Sequence, residues 1–253
     1  MAEAKTAVAN KPAWVDLSSS DPAGSREFYA KLFGWNIEVN PDPQYGGYAM
    51  ANLAGKQVAG IGPTQDPNAP SAWMVYIGTT DSDALAKKVE SAGGKVIAPA
   101  FDVGDQGKMA VYQDPSGAFI SSWQPAAMGA FTANQPNTFG WAELNARGVE
   151  KALPFYTAVF GWTVKKSDMP DRAPPYNEFQ VEGESIAGGQ EMMPMVPAEV
   201  PSYWLVYFDA ADVYTSYETA NKAAPTEVMA PTDFPRRASA TITHPHGHPP
   251  RPL

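Results

Sequence analysis

"FYAKLFGW" at Phe28–Trp35 returns as "FYTAVFGW" at Phe155–Trp162, 155 − 28 = 127 positions later. Trp14 and Trp141 stand at the same offset. Trp73 pairs with Trp204 at 204 − 73 = 131, so the second copy gains a few residues in between. "VAG" at Val58–Gly60 is answered by "IAG" at Ile186–Gly188, and "WMVYI" at Trp73–Ile77 by "WLVYF" at Trp204–Phe208. Matches this widely spread and in the same order mark the duplication of a whole folding unit. The stretch "AAMGAFTANQPN" (126–137) is small, polar and aperiodic, and reads as the join. The copies are therefore expected at 12–126 and 137–253.

The elements follow from local pattern. "WVDLSS" alternates and reads as a strand. "DPAGSREFYAKLFGW" reads as a helix, with Asp21 as N-cap, Pro22 in the first turn and Gly34 just past the end. Phe28 and Leu32, and Tyr29 and Phe33, recur at i, i+4, which gives a broad apolar face and places the octamer in the core. Strands are expected at Asn36–Val39, Tyr48–Leu53 and Gln57–Ile61. "AWMVYI" starts another, "DSDALAKKVESAGG" is a second capped helix, and strands follow at Lys95–Ile97, Lys108–Tyr112 and Ala118–Trp123. Each copy is two β-α-β-β-β modules, and the class is α+β.

With 44% hydrophobic and 18% charged residues the chain can build a core. A net charge of −9 with no basic stripe argues against nucleic acid. Cysteine is absent, which removes disulfides, a thiolate nucleophile and Cys-type zinc sites. "MAEAKTAVANKP" lacks an apolar signal core and no apolar run is long enough for a bilayer, so a cytoplasmic protein without a membrane partner is expected. No nicotinamide or flavin fingerprint and no P-loop is present.

The repeated strand, Asp21, "FYAKLFGW" and the later "DPSG" at Asp114–Gly117 resemble the vicinal oxygen chelate superfamily of glyoxalases, bleomycin-resistance proteins and extradiol dioxygenases, in a tandem two-domain form. The resemblance implies that paired modules bend into a U-shaped mixed-sheet cup with helices outside, that each cup holds a ligand, and that four modules make two cups. It also implies ligand positions in metal-dependent members. A His fourteen residues before the helix Phe would fall on Trp14 and Trp141, and a closing-strand Glu on Ser121. The remaining positions fall near Met74 and Leu205 and in "VAGI" and "IAGG", which hold no carboxylate. An indole offers only an N–H donor. The three histidines, His244, His246 and His248, all lie in the last ten residues. No metal and no cofactor is therefore expected.

Strand alternation assigns the cup linings. Val15 and Leu17 pack beneath the helix, leaving Trp14, Asp16 and Ser18 to face the first cup with Met74, Tyr76, Phe119, Ser121 and Trp123. In copy two Ala142 and Leu144 go under, and Trp141, Glu143, Asn145, Leu205 and Tyr207 face the second. Apolar walls with few polar groups suit a small molecule, and planar aromatic walls suit a flat one. Asp16 and Glu143 would accept a ligand hydroxyl or ammonium, or serve as general base with Tyr76 or Tyr207 as donor. The plainer alternative is that both acids pair with a nearby Arg or Lys.

Three functions stay open. One is a metal-independent binding protein for a planar, aromatic or polyketide-like molecule, an accessory or self-resistance protein in antibiotic biosynthesis. Another is a metal-free hydroxylase, isomerase or lyase using Asp16 or Glu143. The third is an interaction protein, and a monomer or homodimer fits each. The tail "ITHPHGHPPRPL" keeps the turn of "YQDPSGAFISSW" and then turns to proline, so the second cup is expected to lack its closing strand.

Overall fold

The computed structural model describes residues 9–66, 68–167, 175–223, 229–234 and 237–241. The first copy runs β1 (Pro12–Ser19), α1 (Pro22–Phe33), β2 (Asn36–Val39), β3 (Ala49–Leu53), β4 (Lys56–Pro63), β5 (Ala72–Gly78), α2 (Ser82–Ser91), β6 (Lys95–Val103), β7 (Gly107–Gln113) and β8 (Phe119–Pro125). The second runs β9 (Thr138–Ala146), α3 (Val149–Phe160), β10 (Thr163–Ser167), β11 (Tyr176–Val181), β12 (Glu184–Glu191), β13 (Tyr203–Asp209), α4 (Val213–Ala223), β14 (Met229–Phe234) and β15 (Arg237–Thr241). The β-α-β-β-β order holds through three modules. The proline-rich tail lies outside the described residues.

One sheet has the order β2-β3-β4-β1-β5-β8-β7-β6, a second β10-β11-β12-β9-β13, and β14 pairs with β15. Both larger sheets are mixed. β1 runs parallel to β4, β5 to β8 and β9 to β12, while the hairpin neighbours are antiparallel. Grouped by contact, the chain forms two compact units. The first holds Met1–Val15, Met74–Ala130 and Trp141–Tyr207, and the second Asp16–Trp73, Phe131–Gly140 and Phe208–Leu253. Among the described residues no helix is long and apolar enough to cross a membrane.

Helix ends follow the chemistry expected of them. The Asp21 carboxylate accepts from Gly24 N–H at 3.0 Å, Pro22 opens α1, and Gly34 closes it at φ 71°. Asp81 accepts from Ala84 N–H at 2.9 Å at the start of α2. Helix α3 differs: Gly148 is its N-cap and brings no side chain. Instead the Glu191 carboxylate, at the end of β12, accepts from Gly148 N–H at 2.7 Å and from Val149 N–H at 2.8 Å.

The octamers build one aromatic cluster in each unit. In the first unit Tyr156 stacks on Trp162 at 5.5 Å and meets Trp204 edge-on at 5.4 Å, while Trp204 Nε1 donates to the Tyr156 hydroxyl at 2.9 Å. That hydroxyl donates in turn to Asp114 of the "DPSG" turn at 2.7 Å. In the second unit Tyr29 stacks on Trp35 at 5.6 Å and accepts from Trp73 Nε1 at 3.0 Å. The indole N–H groups of the octamers are spent on backbone carbonyls, Trp35 on Asn137 and Trp162 on Asn10. Each cluster joins large apolar area to satisfied polar tips, which is what makes tyrosine and tryptophan usable in a core. The repeat thus encodes packing.

Candidate functional site

In the first unit β9 buries Ala142 and Leu144 completely and carries Trp141, Glu143 and Asn145 at the alternate positions. Its parallel register with β12 sets Glu143 beside Gly188 and Asn145 beside Gln190. Glu143 is only 7% exposed. Its Oε1 accepts from Gln190 Nε2 at 2.8 Å, from Tyr207 hydroxyl at 3.1 Å and from Asn145 Nδ2 at 3.3 Å. Gln190 Nε2 also donates to Asn145 Oδ1 at 3.0 Å, which ties the two amides together. The Tyr176 hydroxyl feels the Glu143 charge and accepts from Trp141 Nε1 at 2.9 Å. Burial first, and the Glu143 charge second, push the Tyr176 phenol far up, so it stays a neutral donor. The same two causes push Tyr203 up to about 12.

Room for Tyr176 comes from a glycine. A Cβ at Gly188 would lie 1.8 Å from the Tyr176 hydroxyl oxygen. The second unit repeats this arrangement: Asp16 sits beside Gly60 in register, accepts from Tyr48 hydroxyl at 3.3 Å, and a Cβ at Gly60 would lie 1.7 Å from that oxygen. An acid on the first strand, a tyrosine from the third strand's start and a glycine between them therefore occur twice. The copies then diverge. Gly62 follows in the first, its position close under the Tyr48 ring, whereas Gln190 fills the matching place in the second and supplies a donor. Ser18 lies two register positions beyond Asp16, opposite Gly62.

The remaining expected lining residues share a sheet face in the first unit. Tyr76 pairs with Ser121 across β5 and β8, and Ser121 with Val111, Trp123 with Met109 and Phe119 with Gln113 across β8 and β7. Met74 lies two residues before Tyr76 on β5, on the same side of the strand by alternation. Tyr76, Ser121 and Trp123 are buried, while Phe119 at the strand's start is 44% exposed. Ser121 Oγ is buried without a hydrogen-bond partner among the described residues. Trp14 is buried.

The expectation of an Arg or Lys partner is overturned at Glu143. Among the described residues its hydrogen-bond partners are neutral donors only, two amides and one phenol, and the ion pairs present lie elsewhere. Strand pairing explains it, because the neighbours across β9 are Gln190 and β13, which carry no cation there.

The site does not fit a divalent metal. Such an ion needs three or more lone-pair donors converging on one point. Trp141 offers a hydrogen that is already given to Tyr176, and Glu143 is ringed by N–H and O–H groups that point positive ends at it. Among the described residues no three His, Cys, Asp or Glu side chains come together as a ligand set.

Tyr48, Tyr176, Gln190 and Tyr203 escaped the sequence reading. A signal for two of them exists: Tyr48 and Tyr176 stand 176 − 48 = 128 apart, as do Gly60 and Gly188, so tyrosine and glycine repeat together.

A family model described as the Glyoxalase/Bleomycin resistance protein/Dioxygenase superfamily matches residues 11–121 and again 138–249. The chain is 38% identical over 243 residues to "Putative glyoxylase CFP32" of Mycobacterium tuberculosis, covering 93% of this chain and 91% of that protein. It is 36% identical over 251 residues to the anthracycline biosynthesis protein DnrV of Streptomyces peucetius, covering 93% and 90%. Among solved structures, the 2,3-dioxygenase LapB from Pseudomonas sp. KL28 is similar at a TM-score of 0.62 and 13% identity, covering 94% of this chain and 89% of that one. That last likeness is one of fold.

Proposed function

Because the chain belongs to the Glyoxalase/Bleomycin resistance protein/Dioxygenase superfamily, we propose that it is a metal-independent binding protein for a planar, aromatic or polyketide-like small molecule, acting in the cytoplasm as an accessory or self-resistance protein of antibiotic biosynthesis. Its repeats are 12–126 and 137–253, and its ligand rests against Trp14, Asp16, Ser18, Met74, Tyr76, Phe119, Ser121 and Trp123 in one and Trp141, Glu143, Asn145 and Tyr207 in the other. One observation carries this reading. Trp141 stands where the resemblance puts a metal ligand, and its indole nitrogen is spent on Tyr176, leaving a flat ring beside a polar floor. Flat rings gain most from stacking on flat ligands. The likeness to DnrV, named for anthracycline biosynthesis, supports the biosynthetic setting.

A second reading has its own support. Tyr207 hydroxyl and Glu143 lie within 3.1 Å, a donor–acid pair of the kind a metal-free hydroxylase, isomerase or lyase would use. Three neutral donors, from Gln190, Tyr207 and Asn145, converge on Oε1 of this carboxylate, an arrangement suited to holding a ligand group in place. Titrating tryptophan fluorescence with a panel of planar aromatic compounds, while following each compound chromatographically, separates the two. Saturable quenching without conversion is expected. Steady conversion of any compound would move the assignment to the enzyme reading.

A further inference from the structure

Glu143 poses a charge problem. A carboxylate this far from water normally sits beside a cation or a metal, because an isolated charge loses several kcal/mol of solvation on burial. Glu143 has neither among the described residues. Its hydrogen-bond partners, Gln190, Asn145 and Tyr207, are neutral. Hydrogen bonds from neutral dipoles stabilise the charge without cancelling it. The field of Glu143 reaches outward too, since it acts on Tyr176 and on Tyr203.

The surroundings select among cations. Trp141, Tyr176, Tyr203 and Tyr207 are aromatic, and aromatic faces attract organic ammonium groups while offering little to a hydrated inorganic ion. A metal is disfavoured for the reasons of donor geometry given above. Tyr207 is the exposed member: it is 36% exposed, and its hydroxyl is one of the donors on Glu143. An incoming N–H donor that displaces it meets the carboxylate directly and forms a charge-assisted hydrogen bond in its place. The matching acid in the other copy, Asp16, is less enclosed and has glycine where Gln190 stands, so the two acids are not equivalent.

We infer that the Glu143 cluster selects ligands carrying an organic ammonium, with the amine placed on Glu143 beside the rings of Trp141 and Tyr207. This rests on the small-molecule binding reading and narrows its ligand class to aromatic amines bearing a protonated, non-conjugated nitrogen. The test uses two probes of the same shape, 2-naphthylmethylamine, which is protonated at neutral pH, and 2-naphthalenemethanol, which is neutral. Binding of each to the full chain is measured by calorimetry, for the parent protein, Glu143→Gln and Tyr207→Phe. The parent is expected to bind the amine at least about tenfold more tightly than the alcohol, a difference of about 1.4 kcal/mol. Glu143→Gln should bring the two within about twofold of each other while leaving the alcohol's affinity nearly unchanged. Tyr207→Phe, which keeps the ring and the carboxylate, should retain or increase the preference for the amine. Equal binding of both probes by the parent, or an undiminished preference in Glu143→Gln, overturns the ammonium assignment and leaves the binding reading standing. If Glu143→Gln fails to fold, loss of the preference in Tyr207→Phe overturns it instead. Failure of the parent to bind either probe removes both readings.

Discussion

Gly188 has no room for a methyl group. A Cβ there would meet the Tyr176 hydroxyl oxygen at 1.8 Å and the ring carbon bearing it at 2.3 Å. Gly188→Ala must therefore swing the ring away and take its hydroxyl off the Trp141 indole. Leaving buried polar groups unmatched costs about 1–3 kcal/mol, so the urea midpoint should fall by the equivalent of that amount. In Gly188→Ala/Tyr176→Val the clash is absent, and the double variant should lose less than the sum of the singles. A strictly additive result would show that the glycine does not serve the tyrosine. The residues of the site divide by how they could be read. Trp141, Glu143 and Asn145 were legible because strand alternation and a repeat offset both point at them. Gln190 was not, because it replaces a glycine of the first copy and breaks the repeat. Tyr48 was read only as the start of a strand and Tyr176 was not singled out, and only the pairing of β11 with β12 carries the Tyr176 ring back over Gly188.

At the level of elements, the helix ends show where local sequence suffices. Asp21, Pro22 and Gly34 lie within or next to α1, so its limits could be drawn from the chain alone. Helix α3 ends the same way at Gly161, but its start has no such marker, since that cap arrives from Glu191 on β12. A capping group supplied through space leaves no trace in the residues around the helix. Two charge-assisted bonds to the first turn also oppose the helix dipole favourably. Glu191→Ala should lower stability by about 1–2 kcal/mol, and Glu191→Gln by less, because the amide oxygen still accepts one bond. Chemical denaturation of the two variants checks the order. Equal stability of Glu191→Ala and the parent would mean that water caps the helix as well as the carboxylate does. Strand positions were legible throughout the first copy, while their partners were not: β6 to β8 and β5 were each visible, but the parallel pairing of β5 with β8 depends on the crossover through α2.

Across the whole molecule the same residue type recurs in the same predicament. Tyr29, Tyr112, Tyr156, Tyr176 and Tyr203 all have phenols pushed above the ordinary value of 10, and burial is the first cause in each. The octamers supply Tyr29 and Tyr156, and the acid–tyrosine–glycine arrangement supplies Tyr176, so duplication has multiplied a single sensitivity. Its sign follows from linkage. In the unfolded chain a phenol ionises near 10, whereas in the folded chain these remain protonated to higher pH. Their contribution to stability is complete below pH 10. It is lost as pH rises from 10 through the folded values, about 12 for Tyr203 and higher for Tyr29, Tyr156 and Tyr176. Tyr29 and Tyr156, enclosed in the two aromatic clusters, each withdraw about 1.4 kcal/mol per pH unit over that range. A domain of ordinary stability, about 5–15 kcal/mol, cannot absorb several such losses together. The protein should therefore unfold cooperatively between pH 10 and 12, with part of its phenolate absorbance appearing only as the circular dichroism of the folded state disappears. Tyr156→Phe removes one of the two deeply buried phenols and should shift that transition to higher pH relative to its own neutral-pH stability, even though it loses the bond to Asp114. Complete ionisation of the tyrosines in a chain that is still folded would show that these rings are open to hydroxide, and that the aromatic clusters do not enclose Tyr29 and Tyr156 as the hydrogen bonds from Trp73 and Trp204 imply.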